Sequence, residues 1–330
     1  MSTNPETLRN TMPGLCFVTL TPFDEDGHLR LDWYRENVRF LLEKTRGIEC
    51  TITPCGSNGE FAAMSEEEHK SVIAACLEEV NGEHPVIAGT GRASTYSAIE
   101  ISKFAQDHGA DAVQIIHPYY FVPTPEGMKQ HYVEISKALD IGVVVYNNPA
   151  FSGSWINPKL MKQIIDECDG KIVAVKENTP HLMLFDSMIR TLKGTGVGVH
   201  SGFGEQWYAY EFPYGAAGMV SPFGNFFPEY PIALYNAAQK YDFDGVRGQL
   251  EMMQPYYSFV GRCAAARGDT GVIGKPGGSI YGEGNVRFGV LKEAMNLMGL
   301  PAGHMRLPLT GLNDKERDEL KEILKGLKLL

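Results

Sequence analysis

Eight times along the chain a short apolar run is followed by a longer amphipathic stretch, and few architectures satisfy that alternation. The runs are CFVTL (16–20), CTITPC (50–55), PVIAGT (85–90), AVQII (112–116), GVVVY (142–146), IVAVK (172–176), GVGVH (196–200) and AGMVS (217–221). Most are rich in β-branched residues, the composition of strands buried on both faces. Their starts lie roughly 20–36 residues apart, the length of a strand, a helix and two loops.

The intervening segments read as helices. Residues 32–44 repeat apolar positions at Trp33, Val38, Leu41 and Leu42. Residues 65–80 open with Ser65 and, three residues on, Glu68, a capping box. Residues 95–108 stop at Gly109, and 125–139 begin on a proline suited to a first helical turn. Helical patterns at 158–167 and 182–192 complete the series. Such a chain is expected to form an α/β fold, a closed (β/α)8 TIM barrel over residues 14–230. The rival, an open doubly wound sheet, usually carries a glycine-rich phosphate loop after its first strand, and TLTPFDEDG is not one. Beyond 230 only helical patterns remain (232–241, 244–261, 287–298, 314–328). A C-terminal helical extension over 231–330 follows, with the glycine-rich segment 268–284 as a loop.

Composition narrows the function classes. Hydrophobic residues make up 43% and charged residues 21% of the 330, the balance of a globular chain. Forty acidic against 30 basic residues give a net charge of −10, which argues against nucleic acid or an anionic membrane surface as partners. No apolar stretch reaches the 18–20 residues of a membrane span, and the N-terminus lacks the pattern of a secretory signal. The six cysteines have neither C-x-x-C spacing nor the density of a disulfide scaffold, so a cytoplasmic location is expected.

Barrel enzymes place their chemistry at the C-terminal ends of the strands. That rule selects Ser57 and Asn58, Tyr119 and Tyr120, Tyr146 and Asn148, Lys176, His200 and Ser201, and Ser221. Lys176 is the most informative. It ends the run Ile172-Val173-Ala174-Val175, where an ammonium inside the barrel wall must be paired or must shed its proton often enough to leave a neutral amine. A neutral amine condenses with a ketone to a Schiff base. Glu177 could pair with it, but consecutive strand residues point to opposite faces. Tyr146 ends the neighbouring run at similar height, where its phenol could shuttle a proton; it could equally be a core tyrosine bonded to the backbone. The turn Gly56-Ser57-Asn58-Gly59 offers N–H groups and a hydroxyl for a carboxylate. His117 and His200 lie near strand ends, but no H-x-H or H-E-x-x-H spacing accompanies them, so no metal is expected.

The pieces TLTPFDEDGHLRLD (19–32), GSNGEF (56–61), HPYYFVPTPEGMKQHY (117–132), YNNPAFSG (146–153), VAVKENT (173–179), GAAGMVSPFGNFFP (215–228) and RLPLTGL (306–312) occur in an order and spacing that resemble the dihydrodipicolinate synthase and N-acetylneuraminate lyase family. These are pyruvate-dependent class I aldolases, and the resemblance covers roughly residues 14–325. It implies a Schiff-base lysine at Lys176, acid/base chemistry at Tyr146, and Ser57 relaying protons and holding the pyruvate carboxylate beside Asn58. It also implies that Tyr120 reaches into a neighbouring subunit's site in a homotetramer built as a dimer of dimers, and that Glu60 fixes the turn. No cofactor is implied beyond the covalent imine.

Departures from the family pattern bear on the substrate. The arginine that dihydrodipicolinate synthases place five residues after the tyrosine is Phe151 here. The Asp-Glu pair of sialic acid lyases reads Ser201-Gly202-Phe203-Gly204-Glu205, with only the glutamate kept. Phe151, Trp155, Phe203 and Trp207 lie on loops above the expected site, and any two of them facing it would favour an apolar or aromatic aldehyde over a polyol. Tyr146, Asn148 and Pro149 resemble the Tyr-x-Asn-Pro of hydratase-aldolases, in which Asn148 could position a water. The reading is a lyase acting on a 2-oxo acid and an aldehyde, with Asn58, Asn148, Phe151, Trp155, Ser201, Gly202, Glu205 and Ser221 binding substrate. The alternatives are a sugar-acid aldolase or dehydratase, 4-hydroxy-tetrahydrodipicolinate synthesis, or a non-catalytic 2-oxo acid binding protein.

Overall fold

The computed structural model describes residues 3–267 and 286–330. The eight apolar runs form eight parallel strands: β1 (Leu15–Val18), β2 (Cys50–Thr53), β3 (Ile87–Gly89), β4 (Ala112–Ile116), β5 (Gly142–Asn147), β6 (Ile172–Glu177), β7 (Gly198–Ser201) and β8 (Gly218–Ser221). Their order around the sheet is β2-β1-β8-β7-β6-β5-β4-β3. The ring closes at β2 and β3 through a parallel bridge between Ile52 and Val86, with Ile52 N–H donating to Pro85 O at 3.0 Å and Gly89 N–H to Pro54 O at 2.9 Å. Glycine at 89 is required by this seam, since a Cβ there would lie 2.3 Å from the Cys55 carbonyl oxygen.

The helices, in chain order, are α1 (Pro5–Thr11), α2 (Leu31–Lys44), α3 (Glu66–Val80), α4 (Thr95–Asp107), α5 (Pro125–Ala138), α6 (Pro149–Ser152), α7 (Pro158–Glu167), α8 (Leu182–Leu192), α9 (Glu205–Glu211), α10 (Glu229–Gln239), α11 (Phe243–Ala266), α12 (Val286–Leu297) and α13 (Asp314–Gly326). The Ser65–Glu68 capping box opens α3, and Gly109 follows α4 in the left-handed region at φ +97°. The expected boundary at 230 falls inside α10, which packs on β1 and α11 alike. One apolar core joins the outer barrel face to α11, α12 and α13, including Val246, Phe259, Val290, Leu320 and Leu324. The loop expected at 268–284 lies outside the described residues.

A feature not foreseen from sequence fills the N-terminal end of the barrel. Asn4 caps α1 by accepting from Glu6 N–H, and Pro5 stands in its first turn. Leu8 of this helix packs with Ile87, Ala112, Val144, Val173 and Ala174. The barrel is therefore plugged below, and its open end is the one where the strands finish.

A β-bulge sets the register that matters for the site. Val143 pairs with Ile172 but Val144 pairs with Ala174, so Val173 is an extra residue on β6. Without it Tyr146 would face Val175. With it, Tyr146 is directly opposite Lys176, which in turn pairs with His200 of β7.

Candidate active site

Lys176 is inward on β6, while the adjacent Glu177 turns to the outer face, as alternation along a strand requires. Glu177 is held there by Asn147 Nδ2, which donates to Oε2 at 2.8 Å, and by Thr179 N–H, which donates to Oε1 at 2.8 Å. Lys176 is 5% exposed, and its Nζ lies 4.1 Å from the centre of the Tyr146 ring. Among the described residues no carboxylate lies within ion-pair distance of it. The pairing with Glu177 open to a lysine in the barrel wall does not form, because that carboxylate is on the opposite face of β6.

Above Lys176 is a cavity of about 380 Å³. Ser57, Asn58, Tyr146 and Lys176 line its inner half; Phe203, Glu205, Trp207, Phe223, Tyr256, Tyr257 and Arg287 line much of the rest. The Ser57 hydroxyl oxygen is buried with no hydrogen-bond partner among the described residues. Asn58 Oδ1 accepts from Arg287 Nη2 at 3.3 Å. The turn carrying Ser57 and Asn58 is fixed from behind by Glu60, itself in the left-handed region at φ +56° and ion-paired with Lys292 of α12.

Two buried histidines stand at strand ends, His200 opposite Lys176 in the register of β6 and β7, and His117 directly after β4. Burial lowers His200 to about 4 and His117 to about 3, and His117 Nε2 accepts from the Asn148 N–H at 3.3 Å. Glu205 is 2% exposed and burial pushes its carboxyl up to about 7 against the opposing effect of the Ser221 and Tyr257 hydroxyls. Its Oε1 has no hydrogen-bond partner among the described residues. The site thus combines a buried amine, a phenol, a hydroxyl and a buried carboxyl in a cavity to which six aromatic side chains contribute. Among the described residues the one grouping of metal-ligand side chains is Asp24, Asp26 and His28, none of which lines this cavity.

Residues 11–256 match the model of the dihydrodipicolinate synthetase family. The chain belongs to that family. It is 33% identical to the 4-hydroxy-tetrahydrodipicolinate synthase of Methanocaldococcus jannaschii over 94% of this chain and 97% of the relative. The enzyme of the same name from Methanospirillum hungatei is 32% identical over 92% and 96%. Among solved structures, the dihydrodipicolinate synthase from Oceanobacillus iheyensis superposes with a TM-score of 0.85 at 28% identity, covering 99% of this chain and all of that one. Enzymes of the family are pyruvate-dependent class I aldolases that use a lysine Schiff base and no metal cofactor, and this chain is a carbon–carbon lyase of that kind.

Not every residue expected at the family's site is brought there. Gly202 and Glu205 line the cavity with Ser57, Asn58, Tyr146 and Lys176; Asn148, Phe151, Trp155, Ser201 and Ser221 are not among its lining residues. Asn148 is buried behind Tyr146, donating from Nδ2 to the phenol oxygen at 2.7 Å. Ser201 faces outward, toward Glu211, as its place in β7 dictates. The Ser221 hydroxyl accepts from Phe223 N–H at 3.1 Å. Of the four aromatics expected on loops, Phe151 stands in the short helix α6 and Trp207 in α9; Phe203 and Trp207 line the cavity, with ring centres 5.1 Å apart. Tyr120 is 79% exposed and stands edge-on to Phe121, away from the cavity of its own chain.

Phe223, Tyr256, Tyr257 and Arg287 were missed from sequence. The last three come from α11 and α12, which a search confined to strand ends passes over. The adjacent pair Tyr256-Tyr257 within a long helix was a faint signal, and both side chains line the cavity.

Proposed function

We propose that Lys176 captures the keto carbon of pyruvate and that the partner aldehyde has an apolar or aromatic body. The observation that carries this reading is the buried amine, with no carboxylate partner among the described residues, facing Tyr146 at the floor of a cavity bordered by Phe203, Trp207, Tyr256 and Tyr257. The neutral amine adds to C2; Tyr146 protonates the carbinolamine hydroxyl, which departs as water and leaves the imine. Loss of a C3 proton to the tyrosinate gives the enamine; its C3 attacks the aldehyde carbon as Tyr146 protonates the aldehyde oxygen, and water then hydrolyses the imine to free the product. Cleavage is the reverse. Ser57 and Asn58, beside Arg287, hold the pyruvate carboxylate, and the Phe203–Trp207 pair with Tyr256 and Tyr257 receives the aldehyde's body.

A second reading, 4-hydroxy-tetrahydrodipicolinate synthesis as in the named relatives, is favoured by Arg287, which offers a guanidinium for an acidic aldehyde. Assay of pyruvate consumption and release with aryl aldehydes, sugar-acid products and a carboxylate-bearing semialdehyde separates the two. Turnover confined to aryl substrates, and abolished in Lys176→Ala, supports the first; turnover confined to the semialdehyde overturns it.

The exposed tip Tyr120-Phe121-Val122 supports a homotetramer in which this tip meets a second copy, with Tyr120 reaching its site. Sedimentation of wild type and Phe121→Asp tests it: the variant is expected to be smaller, and equal masses count against the tip. The protein is read as a cytoplasmic enzyme; its six cysteines are free and buried, and among the described residues no helix is long and apolar enough to cross a membrane.

A further inference from the structure

We propose that Asn148 is a positioning residue that sets the direction of the Tyr146 hydroxyl, turning its proton into the cavity; this rests on the reading of Tyr146 as the acid/base. The amide of Asn148 can be oriented in one way only. Its Oδ1 accepts from the Phe151 N–H at 3.2 Å, capping α6, and that N–H is shared with the Asn148 carbonyl at 3.3 Å. An N–H cannot accept, so the NH2 end must point the other way, where it meets Tyr146 Oη at 2.7 Å. Asn148 itself is fully buried and its backbone N–H is spent on His117 Nε2. Pro149, directly after it, starts α6 and fixes the chain there.

A phenol that receives a hydrogen bond on oxygen must place its own O–H elsewhere, and the free side of Tyr146 is the cavity above Lys176. The same amide remains a donor when the proton has gone to the departing carbinolamine hydroxyl, so the tyrosinate keeps a partner until it takes a proton from C3 and is restored. Had the position carried an acceptor, the phenol would donate to it and be turned away from the reacting carbon.

The test needs no aldehyde. In D2O the enamine cycle replaces the C3 hydrogens of pyruvate by deuterium, read as loss of the methyl proton signal in NMR. Asn148→Asp keeps the acceptor for the Phe151 N–H but offers the phenol only acceptors; exchange is expected to fall by about 100-fold or more with little change in the pyruvate concentration giving half-maximal rate. Asn148→Ala, which leaves the hydroxyl free to rotate, is expected to lose less, roughly tenfold. N148D should regain exchange in acid, where a protonated carboxyl can donate again. A merely structural cap predicts the opposite order, N148D near wild type and N148A worst, and that order overturns the proposal. Should N148D fail to fold, N148A exchanging at the wild-type rate overturns it as well. Tyr146→Phe keeps the two ideas apart: if it exchanges like wild type, the acid/base reading of Tyr146 has failed, whereas an inactive Y146F beside an active N148D removes only the role given to Asn148.

Discussion

The turn that carries Ser57 and Asn58 depends on a buried ion pair made by a helix more than two hundred residues away in sequence. Lys292 and Glu60 have side chains only 2% and 0% exposed; Lys292 Nζ also donates to His304 O at 2.7 Å, and Arg306 N–H donates to Glu60 Oε2 at 3.0 Å. Burial lowers the lysine's pKa while Glu60 opposes that effect. Replacing Lys292 by Met retains the packing against Phe23, whose ring centre lies 4.7 Å from Nζ, but leaves Glu60 buried with its main counter-charge gone. Removing one partner of such a pair costs about 3–5 kcal/mol. With an unfolding entropy of about 2.1 cal/mol/K per residue, this chain of 330 residues changes by roughly 0.7 kcal/mol per degree, so the melting temperature should fall by about 4–7 °C. The double variant Lys292→Met with Glu60→Gln should recover most of that loss, because no unpaired charge remains. Urea denaturation and thermal melts of the three proteins, with the KM for pyruvate measured alongside, provide the assay. A single variant within about 1 kcal/mol of wild type, or a double variant worse than the single, would refute the reasoning.

Two further outcomes are expected. Burial raises the carboxyls of Glu177 and Glu205 to about 7 and of Glu211 to about 8, so below about 4.5 they are protonated in both folded and unfolded chains. As pH rises the unfolded chain loses these protons first, and the stability they contribute declines until the folded values are passed. Glu211→Gln should flatten the fall in urea midpoint between pH 4.5 and about 8, and an unchanged slope would count against it. Trp207→Ala should raise the KM for an aromatic aldehyde roughly tenfold and leave that for pyruvate unchanged; a shift in both alike contradicts its place in the outer half of the cavity.

The barrel was legible because parallel strands buried on both faces leave continuous apolar runs, and all eight runs became strands within a few residues of their expected ends. Lys176 was legible for the same reason: an ammonium at the end of such a run has nowhere polar to go. Its height beside Tyr146 was legible from the ends of the two runs, but the bulge at Val173 that brings the two into register was not, since an unbroken run of small apolar residues conceals it. Helix α1 is too short to leave a periodic signature and shows itself only through Leu8 plugging the barrel. Phe203 and Trp207 of the outer cavity wall were legible, but Tyr256, Tyr257 and Arg287 were not, because they reach it from helices whose placement is decided by packing across the whole chain. Spacing cannot reveal that both ends of the Asn148 amide are taken up within the protein, by Phe151 N–H and the Tyr146 phenol.

Lys176 as the nucleophile is the claim on which the mechanism stands. Reduction with borohydride in the presence of pyruvate, followed by mass mapping of peptides, tests it most directly. A reduced pyruvyl adduct is expected on Lys176 alone, dependent on pyruvate and absent from Lys176→Ala. An unmodified Lys176, or an adduct carried by another lysine, would contradict it.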